Sequence, residues 1–418
     1  MKYIDLFAGA GGLSEGFKRQ GFTPVSHVEL DTAACFTLKT RISYFYLKEN
    51  NKIEIYKNYL KGDITRDDLY SLIPHELLLR VLNYEIGDKM NQHIWDNILQ
   101  SYSPNDIDLI VGGPPCQAYS LVGRARSKTK MVDDPRNFLY IQYARFLKQF
   151  KPKAFIFENV RGLLSANSGK YFSNMQKYFR KIGFEIKPYL LNAKDFNVLQ
   201  NRERVIIIGI SKDFNNISFP EFDKDINKGN LVGDVLNDLP EIEAGEGIDK
   251  YQNYNAPTND YLSQTKIRNG IDILTHHVAR PHNSQDKEIY KRVVRKWNTD
   301  GDRLNYNDLP DKLKTHNNRE SFHDRFKVVA SNETYSQTIV AHISKDGHYY
   351  IHPDIKQNRS LTVREASRLQ SFPDDFYFES LSGKFSRTSA FKQIGNAVPP
   401  LMAEQIAQKL KILLNDKK

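Results

Sequence analysis

Cys116 stands in GGPPCQ (112–117), directly after the apolar run DLIVGG (108–113), and Arg124, Arg126, Lys128 and Lys130 follow it. Positive charge lowers a thiol's pKa and raises the fraction present as the nucleophilic thiolate. Pro114 and Pro115 restrict the backbone that delivers this sulfur. The other cysteine, Cys35, lies inside a helical apolar pattern, where free cysteines are inert core residues. Glu158 closes a second apolar run, KAFIFENV (153–160), and QNRER (200–204) places Arg202 and Arg204 at alternate positions, on one face of the strand they open. A thiol, a carboxylate and arginines at one sheet edge suit a polar heterocycle. No histidine occurs between His93 and His276, which weakens the reading of Cys116 as a protease nucleophile.

A second group of residues suits a nucleotide-like ligand. DLFAGAGG (5–12) reads as a strand entering a glycine-rich turn and then a helix, which brings ligand close to backbone. It is neither the Gly-x-Gly-x-x-Gly fingerprint nor a Walker loop. Glu29 ends the next apolar run, where a carboxylate can accept from two ribose hydroxyls. Asp63, in GDI, is expected at the end of a third strand, within reach of an adenine amino group.

The elements that must position these groups alternate apolar runs with amphipathic stretches, the βαβ pattern of a parallel sheet. KYIDLF, PVSHVEL, DLIVGG, KAFIFENV and RVIIIGI (204–210) read as strands. GLSEGFKRQ, AACFTLKTR and FLYIQYARFLKQF read as helices, the first stopped by Gly21. Residues 66–105 read as a mostly helical insertion, clearest in LYSLIPHELLLRVL. After Ser211 the texture changes to short, weakly periodic segments rich in Asn, Asp, Lys, Tyr and Pro, and eight of the eleven histidines fall between His276 and His352. Helical order returns at TVREASRLQ, where Thr362 and Glu365 stand in capping-box register, and in the final AEQIAQKLKILL. The expected fold class is therefore α/β with a smaller irregular domain, divided as 1–212 plus 386–418 and 213–385.

The chain has 418 residues, 40% hydrophobic and 26% charged, with a net charge of +10. From Cys116 to Lys212 there are 19 Lys/Arg against 6 Asp/Glu, whereas Asn215 to Ser360 holds 20 against 22. The positive field is concentrated in the segment that begins with the thiol, which points to a polyanionic partner. Two cysteines form no disulfide framework and no Cys-x-x-Cys zinc site, so a reducing, cytoplasmic setting is expected. No run of eighteen apolar residues exists to span a membrane. The histidine cluster, lacking cysteines and a helical frame, is not expected to bind metal.

DLFAGAGG, VELD, GDI, GGPPCQ, ENV, QNRER, RSLTVREASRLQSFP and QIGNAVPP occur in the order found in DNA (cytosine-5) methyltransferases, and the chain resembles that family outside 66–105 and 213–330. The resemblance implies a Rossmann-like S-adenosylmethionine-dependent domain joined to a target-recognition domain. It implies that Cys116 adds to C6 of a cytosine flipped from duplex DNA, with Glu158 on N3 and the exocyclic amine, Arg204 on O2 and Arg202 in support. Phe7, Gly9, Gly11, Leu13, Glu29, Asp63, Ile64, Pro115, Leu139, Asn396 and Ala397 are implicated at the cofactor, and Arg124, Arg126, Lys128 and Lys130 at DNA phosphates. A monomer, with a restriction endonuclease or other defence component as functional partner, is expected. The family often has an aromatic residue after the ribose-binding glutamate, where this chain has Leu30, and commonly Pro before QNRER, where it has Leu199. A tRNA cytosine methyltransferase of the same fold, a silent DNA-binding regulator and an exocyclic-amine methyltransferase are the alternatives. The length of 213–330, the presence of Cys116, Glu158 and Arg204, and PPCQ in place of an Asp/Asn/Ser-Pro-Pro-Tyr/Phe motif argue against them in turn.

Overall fold

The computed structural model describes residues 1–115, 138–214, 218–224, 227 and 229–415. Cys116, Arg124, Arg126, Lys128 and Lys130 lie outside the described residues. Strands β1 (Lys2–Leu6), β2 (Thr23–Val28), β4 (Leu109–Gly112), β5 (Ala154–Asn159) and β7 (Glu203–Ser211) form at the apolar runs, and β3 (Val81–Leu82) and β6 (Phe184–Asn192) form where no strand was expected. They make one sheet in the order β3-β2-β1-β4-β5-β7-β6. β1 to β5 run parallel, and β7 is antiparallel to both β5 and β6. The chain leaves β1 towards one edge and β4 towards the other. The crevice at the carboxyl ends of these two strands is where an open α/β sheet binds ligands.

Alternation along each strand divides the core between two faces. Ile4, Ile110, Phe155, Phe157 and Ile207 face helices α3 (Leu139–Phe150) and α4 (Lys170–Lys181). Tyr3, Leu109, Ile156 and Ile208 face the other layer, which includes Leu13 and Phe17 of α1 (Gly12–Arg19) and Met402, Ile406 and Leu410 of α8 (Pro400–Asn415). Each such fully buried side chain contributes about 1.5–3 kcal/mol. Gly16 sets the spacing between α1 and α8, because a Cβ there would lie 2.3 Å from the backbone nitrogen of Glu404. Helix α2 (Thr32–Glu49) starts at Asp31, whose side chain accepts from the Ala34 amide.

The expected third strand is placed differently. Asp63 and Ile64 follow a helix, Ile53–Lys61, rather than a strand. Ile64 packs in a separate cluster with Tyr44, Tyr56 and Tyr377. The strand that pairs with β2 is Val81–Leu82, the end of the piece read as the clearest helix of the insertion. Within that piece only its first three residues, the end of helix Arg66–Ser71, and His75–Leu78 are helical. Two paired residues are too few to show a period of two, so β3 is invisible to a pattern search.

Beyond β7, α5 (Ser284–Asp300) packs Ile289, Tyr290, Val293 and Val294 against Leu304, Tyr306, Phe326 and Ile351 in a core of its own. The chain then returns through α6 (Val363–Leu369), α7 (Arg387–Asn396) and α8. Helix α6 opens with the capping box of Thr362 and Glu365. Glu365 also holds the Arg359 guanidinium through both oxygens, at 2.7 and 2.8 Å. Arg368 reaches Asp374 and Asp238, so the buried arginines of this segment are all paired or bonded.

Candidate active site

A cleft of ≈1710 Å³ opens over the carboxyl ends of β1, β2, β4 and β5. At its floor Phe7 and Gly9, and behind them Gly11, adopt φ of 57°, 54° and 84°. This left-handed path is costly for a side chain such as phenylalanine and is held from outside. The Gly9 amide donates to Glu29 Oε2 at 2.7 Å, and the Asp31 amide donates to Oε1 at 2.7 Å. Beneath the turn Ser14 donates to Asp5 at 2.7 Å and accepts from the Tyr3 hydroxyl at 2.8 Å. Burial pushes the Glu29 carboxyl above its usual range. Each of its oxygens keeps a further acceptor site.

Further along the cleft, β4 delivers Gly113–Pro115 and β5 delivers Glu158. Because β7 runs antiparallel, its first residues begin at the edge where β5 ends, and Arg204 Nε meets Glu158 Oε1 at 2.9 Å. Burial raises the Glu158 pKa, and the neighbouring Arg204 opposes that shift without cancelling it. Gly113 makes room for it, since a Cβ there would sit 2.4 Å from Glu158 Oε2. Asn159 then donates from Nδ2 to the Pro114 carbonyl at 3.1 Å, tying β5 to the segment that carries Cys116.

Phe7, Gly9, Leu13, Glu29, Pro115, Leu139, Asn396 and Ala397 all line this cleft together with Glu158 and Arg204. Three of the expected cofactor residues do not. Gly11 lies behind the turn, where a Cβ would approach Leu38 of α2 at 2.7 Å. Asp63 and Ile64 do not line the cleft because β3 is Val81–Leu82, and Tyr84, Glu85 and Ile86, which follow that strand, do. VLNYEIGD carries the signal that was missed, an apolar pair followed by an acidic and an aliphatic residue. Asn83 holds this segment to β2 by donating to the Glu29 and Leu30 carbonyls. Leu30 is 62% exposed, and Tyr84 is the aromatic residue on this part of the wall.

Arg202, expected in support of Arg204, does not line the cleft. Its guanidinium is completely buried and donates to the carbonyls of Ile339, Gly395 and Ala397 at 2.6, 3.0 and 2.8 Å. Alternation puts Arg202 and Arg204 on one face of the strand, but Arg202 lies just before β7 begins. It ties the strand's entry to the end of α7.

Residues 1–70 and 82–412 match the family model for C-5 cytosine-specific DNA methylases. The chain belongs to that family. The methylase is 41% identical over 99% of both chains to the type II methyltransferase M.Bpa9945I of Bacillus paralicheniformis. It is 32% identical to M1.HphI of Haemophilus parahaemolyticus over 98% of this chain and 86% of that one. Its fold is similar to that of a prophage-encoded DNA modification methyltransferase from E. coli, with a TM-score of 0.65 at 23% identity over 99% of each chain. The α/β, Rossmann-like fold class follows, and so does the enzyme class, DNA cytosine-5 methyltransferase.

Five histidines between His276 and His352 hold internal partners. His276 pairs with Asp249, His277 with the Pro240 carbonyl, His282 with Ser360 and His348 with Tyr290, at 2.8–3.0 Å. His352 lies 3.6 Å from Glu365. Burial pushes His277 down to about 4 and His282 and His352 to about 3, so these three are neutral at pH 7. Among the described residues no group of His, Cys, Asp and Glu could hold a metal ion.

Cys35 is 2% exposed, and burial pushes its thiol up to about 12. It is therefore expected to be silent towards iodoacetamide in the folded methylase. Peptide mass mapping should find one adduct, on Cys116, and none in Cys116→Ser until denaturant is added. Labelling of Cys35 in native protein would contradict its placement.

Proposed function

We propose that the methylase binds S-adenosylmethionine over the glycine turn and transfers its methyl group to C5 of a cytosine extruded from duplex DNA. The cofactor end fits such a group. Glu29 has acceptor capacity for the ribose hydroxyls, Gly9 has nothing within 4 Å of where a Cβ would stand, and Leu30, Tyr84 and Ile86 offer apolar surface to adenine. When bound, the cofactor supplies an electrophilic methyl group. The Cys116 thiolate adds to C6 of the base, and the electron pair displaced onto the ring makes C5 nucleophilic. Glu158 holds N3 and the exocyclic amine, and Arg204 stabilises charge developing on O2. After transfer the C5 proton leaves to a base, and the C5–C6 double bond reforms as Cys116 is expelled.

The observation that carries this reading is the Glu158–Arg204 pair beside Gly113–Pro115, in one cleft with the glycine turn. The base must leave its stack to enter so enclosed a site. Arg124, Arg126, Lys128 and Lys130 are assigned to phosphates, which position a duplex without reading it. Residues 213–385 are assigned to target recognition, with the α5 core as its most independent part. The relatives named type II methyltransferases support a restriction–modification role with a cognate endonuclease of the same specificity. Duplex DNA containing 5-fluorocytosine is the test, since its C5 substituent cannot depart as a proton. A denaturant-stable adduct at Cys116 is expected with wild type and none with Cys116→Ser. Absence of both the adduct and methyl transfer to varied DNA would defeat the proposal.

A further inference from the structure

We infer that the part of the cleft wall formed by Trp297, residues 302–304 and residues 333–335 reads base edges through Arg303 and Glu333, and that the selected site contains a G·C pair outside the target cytosine. This rests on the DNA-methylation reading above. The wall is built from the last turn of α5 at Trp297, the loop 302–304 and the turn 331–335, all of which line the cleft. Its polar side chains are not equivalent. Arg325 is paired with Asp346, and Lys327 is paired with Asp324 and lies 4.3 Å over the Tyr349 ring. The five histidines discussed above are committed to internal partners. Arg303 differs, because its side chain is 57% exposed and its ion partner, Asp324, is 3.8 Å away. Glu333 is exposed and makes no ion pair among the described residues.

Both are nevertheless carried on fixed backbone. Leu304, next to Arg303, is buried in the α5 core beside Phe326. The turn bearing Glu333 is clamped by the Val232 and Gly233 amides, which donate to the carbonyls of Glu333 and Ser331 at 2.8 Å. Rigid backbone under a free polar head is what base recognition requires. The chemistry then selects the partner. A guanidinium fork matches the O6 and N7 acceptors of guanine, and a carboxylate accepts from the N4 amine of cytosine. A carboxylate is repelled by phosphate and accepts from a base amine, so a base donor is the group of duplex DNA that Glu333 suits.

A random-sequence duplex library, methylated and mapped by bisulfite sequencing, tests the assignment with wild type, Arg303→Met and Glu333→Gln. Arg303→Met is expected to lose about tenfold to a hundredfold of discrimination for guanine at one position. Glu333→Gln should relax a cytosine requirement and admit adenine, which an amide can read. Both side chains are exposed, and matching thermal melts will confirm folded variants. A wild-type site profile in both variants, or a loss of methylation uniform across sequences as expected of a phosphate contact, would overturn this inference alone. Wild-type protein that methylates no cytosine would overturn the methylation reading as well.

Discussion

Gly113→Ala is expected to lower the rate of methyl transfer by about 100-fold or more while S-adenosylhomocysteine binding changes little. The added methyl would lie 2.4 Å from Glu158 Oε2, closer than any real Cβ contact. Glu158 cannot simply swing away, because its other oxygen is held by Arg204 at 2.9 Å and the carboxyl is almost wholly buried. The backbone at 113 is constrained in turn by Pro114, whose carbonyl is gripped by Asn159. The collision must therefore displace the carboxyl, the arginine or the segment leading to Cys116, and misplacement by about 1 Å costs on the order of 100-fold. Glycine turn and Glu29 lie elsewhere in the cleft, so cofactor affinity measured by calorimetry separates this effect from general damage. A variant with wild-type kcat would show that the carboxyl's position is not critical.

That contact also marks the limit of what the linear chain discloses. Glu158 is legible because it closes an apolar run, and Cys116 because a thiol beside two prolines and four cations is chemically distinctive. Gly113 looks like any strand-ending glycine until the strand beside it is known. The strands of the catalytic sheet that carry long apolar runs were legible, since a buried parallel strand is apolar on both faces. β3 was not, being two residues long after a helical stretch, and GDI imitated the sequence expected at its end. Glu85 and Ile86 therefore line the cleft where Asp63 and Ile64 were expected. Tertiary placement decided that, through pairing of Val81 and Leu82 with β2. The recognition wall was least legible, because its residues belong to irregular loops whose exposure depends on which neighbours pair with them.

Arg202 and Arg204 make the sharpest separation between positioning and chemistry. Arg202→Met is expected to destabilise the protein by about 3–5 kcal/mol, because three buried carbonyls lose a charged donor together. Those carbonyls belong to Ile339, Gly395 and Ala397, so the loss loosens the junction of β7 with α7 and the segment before it. Arg204→Lys, which keeps a cation beside the buried Glu158, should unfold at nearly the wild-type urea concentration but lose about 100- to 1000-fold in kcat, because an ammonium cannot hold Glu158 and also donate to a developing oxyanion. Two residues apart in sequence, the arginines should thus fail different assays. Urea unfolding alongside steady-state methyl transfer reads both. Arg202→Met protein of wild-type stability but no activity would return its guanidinium to the base-binding set. Loss of stability with kcat retained in the surviving folded fraction would instead fix it as the tie between the sheet and the helix that completes the cofactor wall.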